Sequence, residues 1–322
     1  MGRATWDVSQ MPSLAGKVAI VTGANSGIGF ATTLELARKE AHVVLACRSS
    51  ERAQKAVDAI KAQLEPKKAS VEFLLVDLSD LGSVQSFAET FRTKVGRLDL
   101  LVNNGGVMVP NPTHTPDGLE MQFAVNHLGH FYLTHLLFDL LKCGDEPSRV
   151  VNVSSISHSW VKMDLNKLAR PKPNKKAYTK EYGMSKLANL LFTYELHRRV
   201  VAASLEHRIL VVAAHPGITT SDIAPKMFAT YLPAWILGFM NKLLNILHIM
   251  QATERGALPS LFAATDASVK SGDFVGPDGF LGIRGKCPAK IMSSAASYSK
   301  EDAAGLWTLS EDLAHCKFEV RK

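Results

Sequence analysis

The stretch Thr22-Gly23-Ala24-Asn25-Ser26-Gly27-Ile28-Gly29 decides the fold. It follows the short β-branched run Val18–Val21 and precedes a helical pattern over Phe30–Lys39. A strand, a glycine-rich turn and a helix, in that order, set free backbone N–H groups and the positive end of a helix dipole where a phosphate can sit. Glycine permits positive φ and leaves room for a pyrophosphate against the backbone. The spacing is not the G-x-G-x-x-G form. Even so, three glycines within one strand–helix turn favour a bound dinucleotide over a plain tight turn. Gly23, Asn25, Ser26, Gly27, Ile28 and Gly29 are the candidate phosphate-binding residues.

The same alternation continues along the chain. Strands are expected at His42–Ala46, Val71–Val76, Leu98–Val102, Val150–Val153, Ile209–Ala213 and, briefly, Phe274–Val275. Helices are expected at Glu51–Leu64, Ser83–Lys94, Leu119–Leu141, Tyr178–Ala202 and Thr253–Ala263. The strands are nearly continuous apolar runs, as strands covered on both faces should be. Right-handed crossovers then give a single doubly wound, Rossmann-type α/β domain, with a central parallel sheet and helices on both faces. The domain is expected over 14–285, with an N-terminal extension (1–13) and a C-terminal extension (286–322). Ligands of such sheets bind beyond the carboxyl ends of the strands, so chemistry-bearing residues are expected just after strands.

The end of the second strand reads Ala46-Cys47-Arg48. NAD enzymes usually place a carboxylate there for the ribose 2′-hydroxyl. Here the guanidinium of Arg48 suits a 2′-phosphate instead, which points to NADP(H). Asp77-Leu78 follows the third strand, where Asp77 either accepts from the adenine amine or caps the next turn. Asn103-Asn104-Gly105-Gly106 follows the fourth, and its glycines again let backbone approach a cofactor.

Tyr182-Gly183-Met184-Ser185-Lys186 lies in a helical stretch, so Tyr182 and Lys186 share a face one turn apart. A free phenol has a pKa near ~10, and a neighbouring ammonium is expected to lower it towards a useful value. Ser154 and Ser155 end the fifth strand. Ser155 is the candidate to hold a substrate oxygen, whereas Ser154 reads as a strand-end cap. Asn126 interrupts an otherwise apolar helical run, where asparagine is a poor choice. Local sequence leaves a satisfied core residue and a catalytic one equally open.

Together, Thr22–Gly29, Asp77, Asn103–Gly106, Asn126, Ser155, Tyr182/Lys186 and Pro216-Gly217 resemble the short-chain dehydrogenase/reductase family over about residues 14–285, most closely its retinol-dehydrogenase-like group. The resemblance implies a catalytic tetrad. Tyr182 would exchange the proton with the substrate oxygen, and Lys186 would bind the nicotinamide ribose. Ser155 would orient the carbonyl, and Asn126 would hold a relay water. It also implies cofactor contacts from Leu78, Asn104, Gly105, Pro216, Gly217 and Thr219. Two departures stand out. Gly105 replaces the usual alanine of the N-N-A-G motif, and the stretch from Ser155 to Tyr182 is longer than usual, filled by a lysine-rich insertion.

The segment after Pro216-Gly217, about 218–250, is apolar and aromatic. It includes Phe228, Tyr231, Trp235, Phe239 and Met240. As a substrate lid it favours a retinoid, steroid, prenol or lipid aldehyde or ketone. Packing onto the core or a second subunit, or peripheral membrane contact through 228–250, stays open. The resemblance allows homodimers, homotetramers and monomers. The function expected is NADP(H)-dependent carbonyl–alcohol interconversion. A double-bond reductase and a non-catalytic NADP(H) sensor or scaffold on the same fold are the alternatives.

Composition sets the outer limits. The 322 residues are 46% hydrophobic and 21% charged, an ordinary globular balance. A formal charge of +7 suits an anionic cofactor. Without interleaved aromatics or a helix-turn-helix pattern it does not argue for nucleic acid. Cys47, Cys143, Cys287 and Cys316 are scattered, which argues against a disulfide scaffold and a metal site. A reducing, cytoplasmic setting, with or without peripheral membrane contact, is the expectation.

Overall fold

The computed structural model describes residues 6–65, 70–109, 113–142, 146–170, 178–219, 251–279 and 282–322. The proposed lid, apart from its first two residues, and most of the lysine-rich insertion lie outside these segments.

A single sheet organises the chain. Its strands are β1 (Val18–Thr22), β2 (His42–Cys47), β3 (Val71–Leu75), β4 (Leu100–Asn103), β5 (Ser148–Val153), β6 (Ile209–Ala214), β7 (Phe274–Pro277) and β8 (Pro288–Ile291). They lie in the order β3-β2-β1-β4-β5-β6-β7-β8. All neighbouring pairs are parallel except β7 and β8. The chain reverses direction across the sheet at β1, so a crevice opens between the carboxyl ends of β1 and β4.

The strand pattern explains the layers. Side chains alternate between faces. Ala19, Val21, Val43, Leu45, Val151 and Val212 join one core layer, with helices α1 (Gly27–Arg38) and α2 (Ser50–Lys61). Val18, Ile20, Val44, Val150 and Val211 join the other, with α3 (Leu81–Lys94) and the long α7 (Tyr178–Ala202). Fully buried strands thus read as apolar runs because both faces are covered.

The expected helix over Leu119–Leu141 is interrupted. It consists of α4 (Met121–Phe123), a π-helical segment Ala124–Leu128 and α5 (Gly129–Leu137). The Gly129 N–H bonds the carbonyl of Ala124, five residues back. One short helix, α6 (Leu165–Leu168), precedes α7, and α8 (Thr253–Thr265) returns to the first layer.

Residues 286–322, set apart as an extension by sequence, supply β8 and the last helix α9 (Lys300–Leu313). Ser299 caps α9 by accepting from the Asp302 N–H at 3.1 Å. Trp307 and Phe318 are buried beside Phe131 and Phe192 of the second layer. The guanidinium of Arg199 lies 4.0 Å over the Trp307 ring. Among the described residues no helix is long and apolar enough to cross a membrane.

Candidate active site

The glycines of the first turn do different work. A Cβ on Gly29 would lie 2.4 Å from the Gly23 carbonyl oxygen and 2.6 Å from Asn104 Nδ2, so only glycine lets the helix start approach the loop. Gly27 has φ +55° and nothing near its missing Cβ, so it faces open space in a left-handed conformation. Ser26, the residue before α1, makes no side-chain cap bond. The first N–H groups of α1 therefore have no side-chain cap from it, the arrangement that receives an anion.

From this loop a cleft of about 580 Å³ runs along the carboxyl edge of the sheet. Its wall brings together Gly23, Asn25, Ser26, Gly27, Ile28, Gly29, Arg48, Asp77, Leu78, Asn104, Gly105, Tyr182, Lys186 and Pro216, all singled out by sequence. Asn126, Ser155, Gly217 and Thr219 are not on this wall. Gly106, also named from sequence, lies on it, whereas sequence reasoning missed Ser49, Arg52, Val107 and Thr253. Arg52 had a signal, since it lies in the first turn of the helix that follows Arg48. A larger depression of about 850 Å³, bounded by Trp160, Lys162, Asp164 and Lys180, contains none of the sequence-derived site residues. The smaller cleft is the one with the chemistry.

At the far end of β2 the Arg48 side chain is largely exposed, with a nitrogen 3.8 Å from Asp77 Oδ2. The other oxygen of Asp77 accepts from the Ser79 N–H (3.0 Å) and hydroxyl (2.6 Å). Asp77 therefore caps its turn and still presents one oxygen to the cleft side. Beside Arg48, burial pushes the Cys47 thiol up to about 11, so it is inert. At Gly105 a Cβ would press on side chains, one of them the movable end of Leu78. A Cβ there would lie 2.9 Å from Leu78 Cδ1 and 3.2 Å from Thr22 Oγ1.

Deeper in the cleft, a buried polar ladder aligns the strand ends. Asn103 Nδ2 donates to Asn152 Oδ1 at 2.8 Å, and Asn152 Nδ2 donates to Thr193 Oγ1 at 3.0 Å, linking β4, β5 and α7. Ser154 donates to the Lys186 carbonyl at 2.8 Å, a structural role that fits its reading as a strand-end cap.

Tyr182 and Lys186 are 5% and 3% exposed. The Ser155 side chain lies close enough to the Tyr182 hydroxyl to favour its charged form. Ser155 also accepts from the Ser157 N–H and hydroxyl at 3.3 and 3.0 Å. The Lys186 ammonium donates to the Val153 carbonyl at 3.0 Å and lies 5.9 Å from the Tyr182 ring centroid. This corrects the expected electrostatics. Burial pushes the Tyr182 phenol up to about 12, opposed only by the nearby Ser155 side chain, and brings Lys186 down to about 8. The Lys186 ammonium, which donates to the Val153 carbonyl, adds no counterweight. The phenol is therefore held with its proton.

Asn126 sits within the π-helical segment, fully buried. Its Oδ1 accepts from the Val107 N–H at 2.7 Å, and its Nδ2 donates to the Val107 carbonyl and to Ser185 Oγ, both at 3.0 Å. The side chain is thus satisfied, and its Oδ1 and the Lys186 ammonium both lie beside Gly106. At the opposite rim, Gln251 Nε2 donates to the Pro216 carbonyl at 2.8 Å. Gly217 takes φ +71°, and Thr219 is buried where Gly256 of α8 leaves room for it.

Known proteins resemble this chain in sequence and fold. The short chain dehydrogenase family pattern matches residues 17–165. Retinol dehydrogenase 12 of Mus musculus is 37% identical over 95% of this chain and 89% of its own length. The WW domain-containing oxidoreductase of Homo sapiens is 38% identical over 95% of this chain and 70% of its own. The crystal structure of an uncharacterized protein from Mycobacterium paratuberculosis superposes with TM-score 0.77 at 34% identity, covering 98% of this chain and all of that one. L-sorbose reductase from Gluconobacter frateurii, solved with NADPH and L-sorbose, shares the fold at TM-score 0.62 and 22% identity, over 81% of this chain and 94% of its own. The chain belongs to the short-chain dehydrogenase/reductase family of oxidoreductases, in its retinol-dehydrogenase-like group.

Proposed function

We propose that this protein is an NADP(H)-dependent oxidoreductase that interconverts a carbonyl and an alcohol on an apolar substrate. One observation carries the reading: the Tyr182 phenol, kept protonated by burial, shares a cleft with Lys186 and the glycine cradle. The residues present fit a dinucleotide. The open face at Gly27 and the α1 N-terminus suit a pyrophosphate, and Arg48 with Arg52 suits a 2′-phosphate.

When bound, the nicotinamide supplies or accepts the hydride at the substrate carbon. In reduction, Tyr182 gives its phenolic proton to the substrate oxygen as that oxygen gains negative charge. The Ser155 hydroxyl donates a hydrogen bond to the same oxygen and orients it. The charged form of Lys186, anchored on the Val153 carbonyl, lines the same cleft and would hold the ribose. Asn126 fixes Val107 and Ser185 around the pair. In oxidation each proton moves the other way.

The apolar character of 218–250 and the kinship with retinol dehydrogenase 12 support a retinoid, steroid, prenol or lipid carbonyl as substrate. The test follows NADPH absorbance with all-trans-retinal, a steroid ketone and decanal, and repeats each assay with NADH. Turnover of at least one apolar carbonyl, faster with NADPH, is expected. No turnover across the panel would refute the reading. The same protein spun with anionic liposomes tests membrane contact through 228–250.

A further inference from the structure

We propose that His130 is a positioning residue that ties the turn carrying Asn126 to the loop carrying Asn104 and Gly105, so that the proton-transfer side and the cofactor side of the cleft are held by one ring. The role rests on the carbonyl–alcohol reading above.

His130 stands on α5, one turn beyond Asn126, and is 2% exposed. Its Nδ1 lies 3.1 Å from the Asn126 carbonyl oxygen. A carbonyl only accepts, so Nδ1 carries the proton. In the neutral ring Nε2 must then be an acceptor, and the Thr22 hydroxyl donates to it at 2.8 Å. That leaves the lone pairs of Thr22 Oγ1 for two donors. The Asn104 N–H (2.9 Å) and the Gly105 N–H (2.7 Å) take them. The chain of bonds runs from the π-helical turn, through one imidazole and one hydroxyl, to the backbone of the fourth strand's loop.

The direction of every bond in this chain is fixed by the first. A protonated ring would present Nε2–H to a hydroxyl that is already donating. Burial and the Lys186 charge both keep the ring neutral, bringing its pKa down to about 4. The device therefore does not switch in the neutral pH range. It holds. It is also placed where a small shift would be felt. Gly105 touches Leu78 and Thr22, and Gly106 lies between Asn126 and Lys186. A loop displaced by a few tenths of an ångström would move the cofactor wall, and a displaced Asn126 carbonyl would move the turn that packs against Lys186.

Two conservative substitutions separate the two ends. An asparagine amide reaches the position of Nδ1, so His130→Asn keeps a donor for the Asn126 carbonyl and loses the acceptor for Thr22. A glutamine amide reaches the position of Nε2, so His130→Gln keeps an acceptor for Thr22 and loses the other bond. His130→Leu loses both. NADPH binding is titrated by its fluorescence, kcat and KM are measured with decanal or whichever carbonyl the wild type reduces, and circular dichroism confirms folding. H130N is expected to weaken NADPH about ten-fold with kcat nearly kept, and H130Q to lower kcat about ten-fold with NADPH affinity nearly kept. H130L should show both losses. If the variants lower thermal stability alone, leaving NADPH affinity and kcat within two-fold of wild type, His130 is an ordinary core residue and the proposal fails. Should the wild type reduce no carbonyl, the function proposed above fails, while the NADPH titration still decides whether His130 holds the loop.

Discussion

The Tyr182 hydroxyl meets Ser155, while the Lys186 ammonium, one turn further along α7, turns away from it to the Val153 carbonyl at 3.0 Å. The two halves of the pair thus have separate anchors. Asn189 Nδ2 donates to the same Val153 carbonyl at 3.0 Å, so that oxygen keeps a partner if the lysine is removed. Burial acts on both residues in the same sense. It favours the neutral phenol and disfavours the ammonium.

Lys186 should set the alkaline limb of the reductive pH profile. Its pKa stands at about 8, so its charge is present below that pH and lost above it. Reduction of a carbonyl should decline as pH rises through about 8, although Tyr182 remains a competent acid there. Lys186→Arg should carry a charge throughout and move that limb beyond the measured range. Initial rates from pH 6 to 10 check this, and a profile unchanged by the arginine would assign the limb elsewhere.

Glu181 should oppose stability at neutral pH. Burial, and then the charge of Glu120, push its carboxyl up to about 7. The folded state therefore binds a proton that the unfolded state releases nearer ~4.3. The favourable neutral form is fully present at low pH and lost as pH rises through about 7. Glu181→Gln should raise the melting temperature at pH 8 and flatten its decline between about pH 5 and 7. Calorimetry at several pH values measures it.

Arg48 should govern the choice of dinucleotide. Its guanidinium is exposed, with only the distant Asp77 oxygen as an ion-pair partner among the described residues, so it is available to a 2′-phosphate. Arg48→Ala should weaken NADPH about ten-fold and leave NADH almost unaffected. Equal effects on both cofactors would mean that Arg48 does not read the phosphate.

Gly27 and Gly29 should differ when each becomes alanine. At Gly27 there is space but a positive φ, so about 1–2 kcal/mol of strain is expected with the fold retained. At Gly29 the new methyl would overlap the Gly23 carbonyl and the Asn104 amide, so the loop must move. NADPH binding should weaken in G27A, whose methyl enters the face proposed for the pyrophosphate, with the fold kept, and be lost in G29A, as followed by fluorescence titration.

The glycine turn, the strand ends and the Tyr–Lys spacing were legible because each rests on a local rule: backbone freedom, strand–helix alternation, or helix periodicity. Asn126 looked anomalous for a helix, and the anomaly was informative, but the π-helical turn that accommodates it depends on contacts with Val107 and Ser185 far along the chain. The phenol's acidity was misjudged for a related reason. Spacing brings Lys186 to the right face, whereas the Val153 carbonyl decides where its ammonium points. β8 was missed since Pro288–Ile291 is a short edge strand with little apolar pattern, recruited by pairing with β7. His130 carried no local signal at all; its partners Thr22 and Asn126 meet only in the folded chain.

The central claim is that Tyr182 delivers the proton. Tyr182→Phe removes one oxygen from a buried ring and leaves the apolar packing in place. With NADPH and an apolar carbonyl that the wild type reduces, kcat should fall about 10²–10⁴-fold while the NADPH dissociation constant stays within two-fold. A folded Phe variant that binds NADPH and turns over at the wild-type rate would contradict the account.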